Sequence, residues 1–268
     1  MALQLDSVTR DWLGELRVAR SPWRIRGRAA GETVVDAPEA LLVWEPKRVT
    51  PVYAVPEAAV LRPVLDGGGP RALTPAEQHR PVLDPGVPFA AHTAAGRTAS
   101  IRTGTGQEVA AFRFDDPLLA GHLAIDFAAL RWFEEDLEQP SHPHDPFHRI
   151  DVRPVDAHVV MRLDDAVVVD TTHAKRLAET HLPLRWYVPP EDVRVPLEPS
   201  DTVTWCAYKG RATYRSARIA DRRLDDLFWT YEEPLPDGRD VAGLLGVYSE
   251  HLDVTVGPPA PAAATVGG

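Results

Sequence analysis

The sequence predicts a mainly β fold built from antiparallel strands with few short helices, and three observations support this. The 268 residues include 26 Pro and 18 Gly spread along the chain, which leaves few stretches long enough for a regular helix. Turn residues recur about every ten positions, as in antiparallel sheets. Between them lie short runs rich in β-branched and aromatic residues. The predicted strands are 33–36, 158–163, 166–170, 185–188, 202–208 and 213–219.

Composition limits the class of protein. The length allows one large domain or two small ones. The net charge of −10 gives no attraction to phosphate backbones or anionic lipids. One cysteine, Cys206, excludes an intramolecular disulfide, and the first residues lack the apolar run of a signal peptide. We therefore expect a cytoplasmic protein that binds neither nucleic acid nor membrane; its oligomeric state is not predicted.

An internal similarity suggests a duplication. Residues 34–57 align without a gap on residues 168–191. The identical pairs are Val34/Val168, Val35/Val169, Asp36/Asp170, Ala40/Ala174, Glu45/Glu179, Tyr53/Tyr187, Pro56/Pro190 and Glu57/Glu191. The chain is therefore expected to contain two tandem β domains. The predicted segments are an N-terminal arm (1–20), a degenerate first repeat (21–139), a Pro/His-rich linker (140–154), a second repeat (155–257) and a disordered tail (258–268).

The second repeat contains residues that the first lacks. These are the cluster Trp205-Cys206-Ala207-Tyr208-Lys209-Gly210 and the later Tyr214 and Trp229-Thr230-Tyr231. Together with Arg185-Trp186-Tyr187 they form one series. The series resembles the bacterial domain-of-unknown-function family 427, whose core usually reads Cys-Pro-Tyr-Lys-Gly, so that Ala207 replaces a proline here. The resemblance implies a β-tent-like fold, in which two antiparallel sheets meet at an angle over a pocket. Members of the family are sometimes labelled nucleotidyltransferases.

We expect a small-molecule pocket in the second repeat. An ammonium group beside aromatic rings can bind a carboxylate or phosphate and hold a planar group. If the motif lies on a strand, Cys206 and Tyr208 point to one face, and Lys209 to the other. The alternative is that Lys209 pairs with a carboxylate such as Glu191 or Asp192 while the rings form core. The predicted pocket residues are Trp186, Tyr187, Trp205, Tyr208, Lys209, Trp229 and Tyr231.

Catalytic residues are less clearly indicated. Cys206 and Lys209 are the candidates, because a nearby cation can lower the pKa of a thiol. A cysteine nucleophile also needs a positioned base, and no histidine occurs between His181 and His251. A lone cysteine on a strand is more often a small buried hydrophobic residue.

The histidines His142, His144 and His148, with Asp145 beside them, have a spacing that can bind zinc. A connector interrupted by proline gives such a site poor support, and we expect neither a metal nor a cofactor. The function that we expect is binding of a small planar or anionic metabolite. The alternatives are an enzyme acting on a nucleotide or acyl group, as a nucleotidyltransferase does, and a protein-interaction module.

Overall fold

The computed structural model describes residues 2–67, 72–219 and 221–258. The chain divides into two compact units between Pro146 and Phe147. Both consist of antiparallel sheets joined by short turns and single 3-10 turns, which confirms the predicted mainly β fold. Apart from Pro258, the predicted tail lies outside the described residues. No helix in the described ranges is both long and apolar enough to cross a membrane.

Within residues 2–67 and 72–146, the first unit contains two short helices and two sheets. The helices are α1 (Leu5–Trp12) and α2 (Pro75–Gln78). The strands are β1 (Arg17–Ser21), β2 (Ile25–Ala29), β3 (Glu32–Ala37), β4 (Ala40–Trp44), β5 (Val52–Pro56), β6 (Val64–Asp66), β7 (Gly96–Arg102), β8 (Glu108–Phe114), β9 (His122–Ile125), β10 (Arg131–Glu134) and β11 (Leu137–Gln139). A seven-stranded sheet has the order β1-β4-β5-β9-β8-β7-β6, and a four-stranded sheet the order β11-β10-β2-β3.

The described part of the second unit, 147–219 and 221–258, also contains two sheets. Its strands are β12 (Ile150–Pro154), β13 (His158–Leu163), β14 (Ala166–Thr171), β15 (Lys175–Glu179), β16 (Arg185–Val188), β17 (Leu197–Cys206), β18 (Gly210–Ile219), β19 (Arg222–Thr230), β20 (Leu245–Val247) and β21 (Asp253–Gly257). The seven-stranded sheet has the order β12-β15-β16-β20-β19-β18-β17, and the three-stranded sheet the order β14-β13-β21.

The two units have the same strand order. In each, the first, fourth and fifth strands lie side by side in the large sheet, and the second and third pair in the small one. The pairing of the second and third strands shifts register between Gly27 and Arg28 in one unit and between Met161 and Arg162 in the other. The turn after the fourth strand contains a residue of positive φ in each unit. These residues are Lys47, at 67°, and His181, at 63°.

The gapless alignment is wrong by one residue in the fifth strand. Tyr53 pairs with Leu42 on β4, and Trp186 pairs with Arg176 on β15. Because Leu42 and Arg176 are equivalent positions, the structural counterpart of Tyr53 is Trp186 and not Tyr187. A one-residue gap in the turn before the fifth strand restores the register.

The predicted arm and linker contribute strands to the units. β1, which begins inside the predicted arm, pairs with β4 at one edge of its sheet. β12, which lies inside the predicted linker, pairs with β15. The linker therefore does not form a separate connector. The reason is that Ile150 and Val152 of β12 are partly buried against the core of the second unit.

The large sheet of the second unit carries apolar residues on both faces. One face packs on the small sheet through residues such as Met161, Val168 and Phe228. The other face carries a second cluster that is rich in aromatic rings, and we call it the aromatic cluster. Its buried members are Leu177, Tyr187, Ala212, Tyr214, Trp229, Tyr231 and Val241.

The position of Trp229 depends on a glycine. Gly246 of β20 pairs with Tyr187 on one side and with Trp229 on the other. A Cβ at Gly246 would lie 2.3 Å from Cε2 of Trp229, so the indole lies across the glycine. In the first unit the smaller ring of Phe112 pairs with Ala124. In each unit, therefore, a larger ring lies across a smaller residue: Trp229 across Gly246, and Phe112 beside Ala124.

We expect Gly246→Ala to destabilise the protein by about 1–3 kcal/mol, because the indole of Trp229 would have to move. Gly257→Ala is the matched control in β21, since its Cβ would meet only the carbonyl oxygen of His158, at 3.8 Å. Urea unfolding followed by circular dichroism measures both. Equal midpoints for the two variants would contradict the packing described.

Candidate functional site

A tight turn presents the central residues of the Cys-x-Tyr-Lys-Gly motif. Cys206, the last residue of β17, pairs with Gly210, the first of β18. Residues 207–209 form the turn, and Gly210 has φ +92°, which favours glycine. The predicted strand 202–208 therefore ends at Cys206. Because Tyr208 and Lys209 lie in the turn, strand alternation does not separate them, and the prediction that they point to opposite faces is wrong.

Lys209 forms a buried ion pair with Glu179. Its Nζ lies 2.5 Å from Oε2 of Glu179, and the two side chains are only 6% and 9% exposed. The alternative partners Glu191 and Asp192 are wrong, since Asp192 instead accepts a hydrogen bond from Thr171. The sequence could not indicate the true partner because the contact spans the sheet. Glu179 ends the second strand in sheet order, whereas Lys209 lies between the last two.

His148 completes the polar group. Its Nε2 lies 3.0 Å from Oε1 of Glu179, and its ring stacks on Tyr208 with a centroid distance of 4.2 Å. Burial alone would raise the pKa of Glu179. The hydrogen bond to His148 and the charge of Lys209 outweigh it and lower the pKa to about 2. The carboxylate is therefore ionised at neutral pH. We call Glu179, Lys209 and His148 the polar triad.

Four aromatic hydroxyl or indole groups lie near the polar triad. Trp229 donates a hydrogen bond from Nε1 to the Tyr187 hydroxyl, at 3.0 Å. The Tyr214 hydroxyl lies 3.0 Å from the Thr204 hydroxyl. Tyr231 is 5% exposed, and its hydroxyl has no hydrogen-bond partner among the described residues. Burial raises the pKa of both Tyr187 and Tyr231, so these phenols stay protonated at neutral pH.

Cys206 lies beside the triad as a protonated thiol. Burial raises its pKa, and the opposing charge of Lys209 is the smaller effect. Its Sγ accepts a hydrogen bond from the backbone N–H of Lys209, at 3.5 Å. The expectation that Lys209 activates this cysteine is therefore not supported by the electrostatics, because Lys209 is neutralised by Glu179.

Two predicted pocket residues lie away from this group. Trp186 belongs to the core between the sheets, and the guanidinium of Arg176 lies 5.0 Å from its ring centroid. Trp205 is 48% exposed. Strand alternation explains both positions. Trp186 precedes Tyr187, which faces the aromatic cluster, and Trp205 precedes Cys206, which lies beside the triad, so each tryptophan points to the other face of its strand. Tyr187, Trp229 and Tyr231 share the aromatic cluster, whereas Lys209 belongs to the polar triad and Tyr208 stacks on His148.

The three linker histidines do not share a site. His142 is buried, and its Nδ1 lies 2.8 Å from the Pro143 carbonyl oxygen. Asp145 accepts a hydrogen bond from the indole of Trp44. His148 belongs to the polar triad. Within the part of the chain that the structure describes, no group of three His, Cys, Asp or Glu residues could hold a metal ion.

The first unit has a buried glutamate at the equivalent position. Glu45 is fully buried, and the Nδ1 atom of His92 lies 2.7 Å from its Oε1. The other oxygen accepts backbone N–H groups of Thr93 and Ala94, at 2.6 and 2.9 Å. The His92 ring stacks on Phe112 at 3.9 Å. A carboxylate paired with a stacked histidine thus occurs in both units, but backbone amides replace the lysine in the first.

Sequence reasoning missed Glu179 and His148 as members of the site. One indication was available for Glu179, because Glu45/Glu179 is among the identical pairs of the internal alignment. A glutamate retained in a degenerate repeat suggests a common role. For His148 the sequence offered only its place in a segment treated as a linker.

Comparison with known families assigns part of the chain. Residues 151–257 match the family model described as a domain of unknown function (DUF427). The matched region contains Glu179 and Lys209. It begins at residue 151 and so does not include His148. No curated protein matches the chain.

We expect the ion pair to show strong energetic coupling. Glu179→Gln or Lys209→Met leaves one buried charge without its partner, at a cost of about 3–5 kcal/mol. The double variant removes both charges and should lose much less than the sum. A double-mutant cycle by urea unfolding measures this.

The control cycle uses the same substitutions at the exposed pair Arg131–Glu138, whose side chains are 69% and 43% exposed. Coupling there should be about 0–1 kcal/mol. Additive effects at Glu179 and Lys209 would show that the pair is not buried as described.

Proposed function

We propose that the second unit binds a small planar molecule beside the polar triad, with Tyr187, Tyr208, Trp229 and Tyr231 as its aromatic contacts. The observation that carries the proposal is the Tyr231 hydroxyl, which makes no hydrogen bond to a described residue although Tyr231 is only 5% exposed. This hydroxyl is not one of the fully buried polar atoms that lack a partner, so a ligand can reach it. A ligand that bonds to it gains a hydrogen bond that the folded chain does not supply.

The ionic composition of the triad supports the same proposal. Taking a lysine and a glutamate out of water is expensive, and a buried ion pair often contributes nothing to stability relative to apolar residues. The first unit forms the same fold without the lysine. Titratable groups with strongly shifted pKa values collect at functional sites. Glu179, with its pKa of about 2, is such a group.

The first unit is proposed to be a copy that has lost this function. The shared strand order, the shared bulge and the equivalent glutamates support a tandem duplication. In the first unit the segment containing His92, Thr93 and Ala94 supplies the donors to Glu45. Its own chain therefore occupies the carboxylate. A cytoplasmic location is proposed from the lone Cys206.

We expect small planar compounds to raise the melting temperature of the full chain. The measurement is intrinsic tryptophan fluorescence with adenosine, nicotinamide, 4-hydroxybenzoate, and ATP with and without Mg²⁺. A ligand at a hundred times its Kd adds about 2.7 kcal/mol of stability. The shift should disappear in the double variant Glu179→Gln/Lys209→Met and persist in the control double variant Arg131→Met/Glu138→Gln.

Three outcomes would contradict the proposal. A shift that persists in both double variants places the ligand elsewhere. No shift with any compound favours a protein-interaction module. A shift seen only with ATP and Mg²⁺, accompanied by turnover of the nucleotide, favours a nucleotidyltransferase.

A further inference from the structure

The first unit contains a cavity of about 430 Å³, lined by parts of the segments 85–89, 127–131 and 138–141. Its apolar lining includes the buried side chains of Phe89, Phe127 and Leu130. The ring centroids of Phe89 and Phe127 lie 5.9 Å apart. The volume is within the range of small-molecule sites, about 300–1,000 Å³. The lining comes from the first unit alone, so the cavity does not need the second unit.

One wall of the cavity is fixed by a buried arginine. The guanidinium of Arg48 donates hydrogen bonds to the carbonyl oxygens of Val87, Pro88 and Ala91, at 3.0, 2.7 and 2.6 Å. Its Cζ also lies 5.3 Å from the centroid of the Phe89 ring. These contacts hold the wall in place before a ligand arrives, and a preformed site binds at a lower entropic cost.

The same wall distinguishes the two units. By their places in the sheets, β6 and β7 of the first unit correspond to β17 and β18 of the second. The second unit joins these strands by the short turn 207–209, whereas the first joins them by the chain between Asp66 and Gly96. The wall 85–89 lies in this longer connection, so the turn 207–209 offers no counterpart to it.

A second wall contains a buried amide. Gln139 ends β11, the edge strand of its sheet, and pairs with Trp132, whose indole donates instead to the Phe127 carbonyl oxygen. Gln139 is only 6% exposed, yet its side chain makes no hydrogen bond to any residue in the described ranges. Its amide atoms are not among the fully buried polar atoms without a partner, so a molecule in the cavity can reach them.

The other polar side chains of the lining are already engaged. Arg131 and Glu138 form a two-bonded ion pair with each other, with N–O distances of 2.9 and 2.5 Å. Ser141 has an interaction of its own within the chain. The polar side chain of the lining that is left to recognise a ligand is therefore that of Gln139. A polar group held in an apolar cavity favours a ligand that hydrogen-bonds to it.

We infer that this cavity binds a ring compound whose edge carries a hydrogen-bond donor beside an acceptor, as a carboxamide or a lactam does. The glutamine amide has an acceptor oxygen next to N–H donors, so such an edge forms two hydrogen bonds with it. The ring of the ligand packs on Phe89 and Phe127. This site is independent of the function proposed for the second unit.

The test compares two probes that share a ring and a carbonyl oxygen. Benzamide has N–H donors beside that oxygen, and methyl benzoate has none. Dissociation constants are measured on the full chain by saturation-transfer NMR. We expect benzamide to bind about three- to tenfold more tightly, as for one additional hydrogen bond.

Gln139→Met removes the amide and keeps the length of the side chain. Benzamide binding should weaken about tenfold, and the two probes should then bind equally. Because the Gln139 amide has no partner among the described residues, the variant should unfold at a urea midpoint no lower than that of the parent chain. Gln107→Met is the matched control, since Gln107 is exposed in the turn between β7 and β8, and it should leave both dissociation constants unchanged.

Four results would overturn the inference. Equal binding of the two probes to the parent chain, or no binding of benzamide at millimolar concentration, excludes the ligand class. Benzamide binding unchanged in Gln139→Met excludes the site. A lower urea midpoint for Gln139→Met shows that the amide has a partner within the chain.

One further variant separates this inference from the proposed function. If Tyr231→Phe weakens benzamide binding and Gln139→Met does not, benzamide binds in the second unit, which contradicts this inference and supports the proposed function. If benzamide binding requires Gln139 while no compound requires Glu179 and Lys209, the proposed function fails and this inference stands.

Discussion

The buried ion pair between Lys209 and Glu179 requires the large sheet of the second unit to be strongly curled. Glu179 ends β15, the second strand in the order of the large sheet, and Lys209 lies in the turn that joins the last two strands. A flat sheet would keep these positions several strand spacings apart, at about 4.8 Å for each spacing. The sheet must therefore curl until they meet. The curl also gathers Tyr187 of β16, Trp229 of β19 and Tyr231, which follows β19, into one cluster.

The first unit shows which part of this arrangement the fold requires. Its glutamate, Glu45, holds the equivalent position at the end of the fourth strand and is also buried. The pKa of each glutamate is lowered despite its burial. The common requirement is a set of donors for a buried carboxylate. The first unit meets it with His92 and the backbone amides of Thr93 and Ala94. The second unit meets it with the side chains of Lys209 and His148. The Lys209 ammonium has three N–H donors, of which Glu179 takes one.

The sequence predicted the local features of this protein and missed the long-range ones. Proline and glycine spacing indicated antiparallel strands, because turn formation depends on neighbouring residues. The partner of Lys209 depends on the curl of a seven-stranded sheet, which no local pattern encodes. His148 was missed because its segment was interpreted as a linker. Strand alternation misplaced Tyr208 because β17 ends two residues earlier.

The most direct test of the ion pair is the titration of the Glu179 carboxyl group by carbon-13 NMR on the full chain. Its resonance is assigned by its loss in Glu179→Gln, which also distinguishes it from Glu45. With both partners in place, we expect a pKa of about 2, well below the ordinary value of 4.5. Titration near 4.5 would contradict it, because the carboxylate would then lack the stabilising contacts with Lys209 and His148.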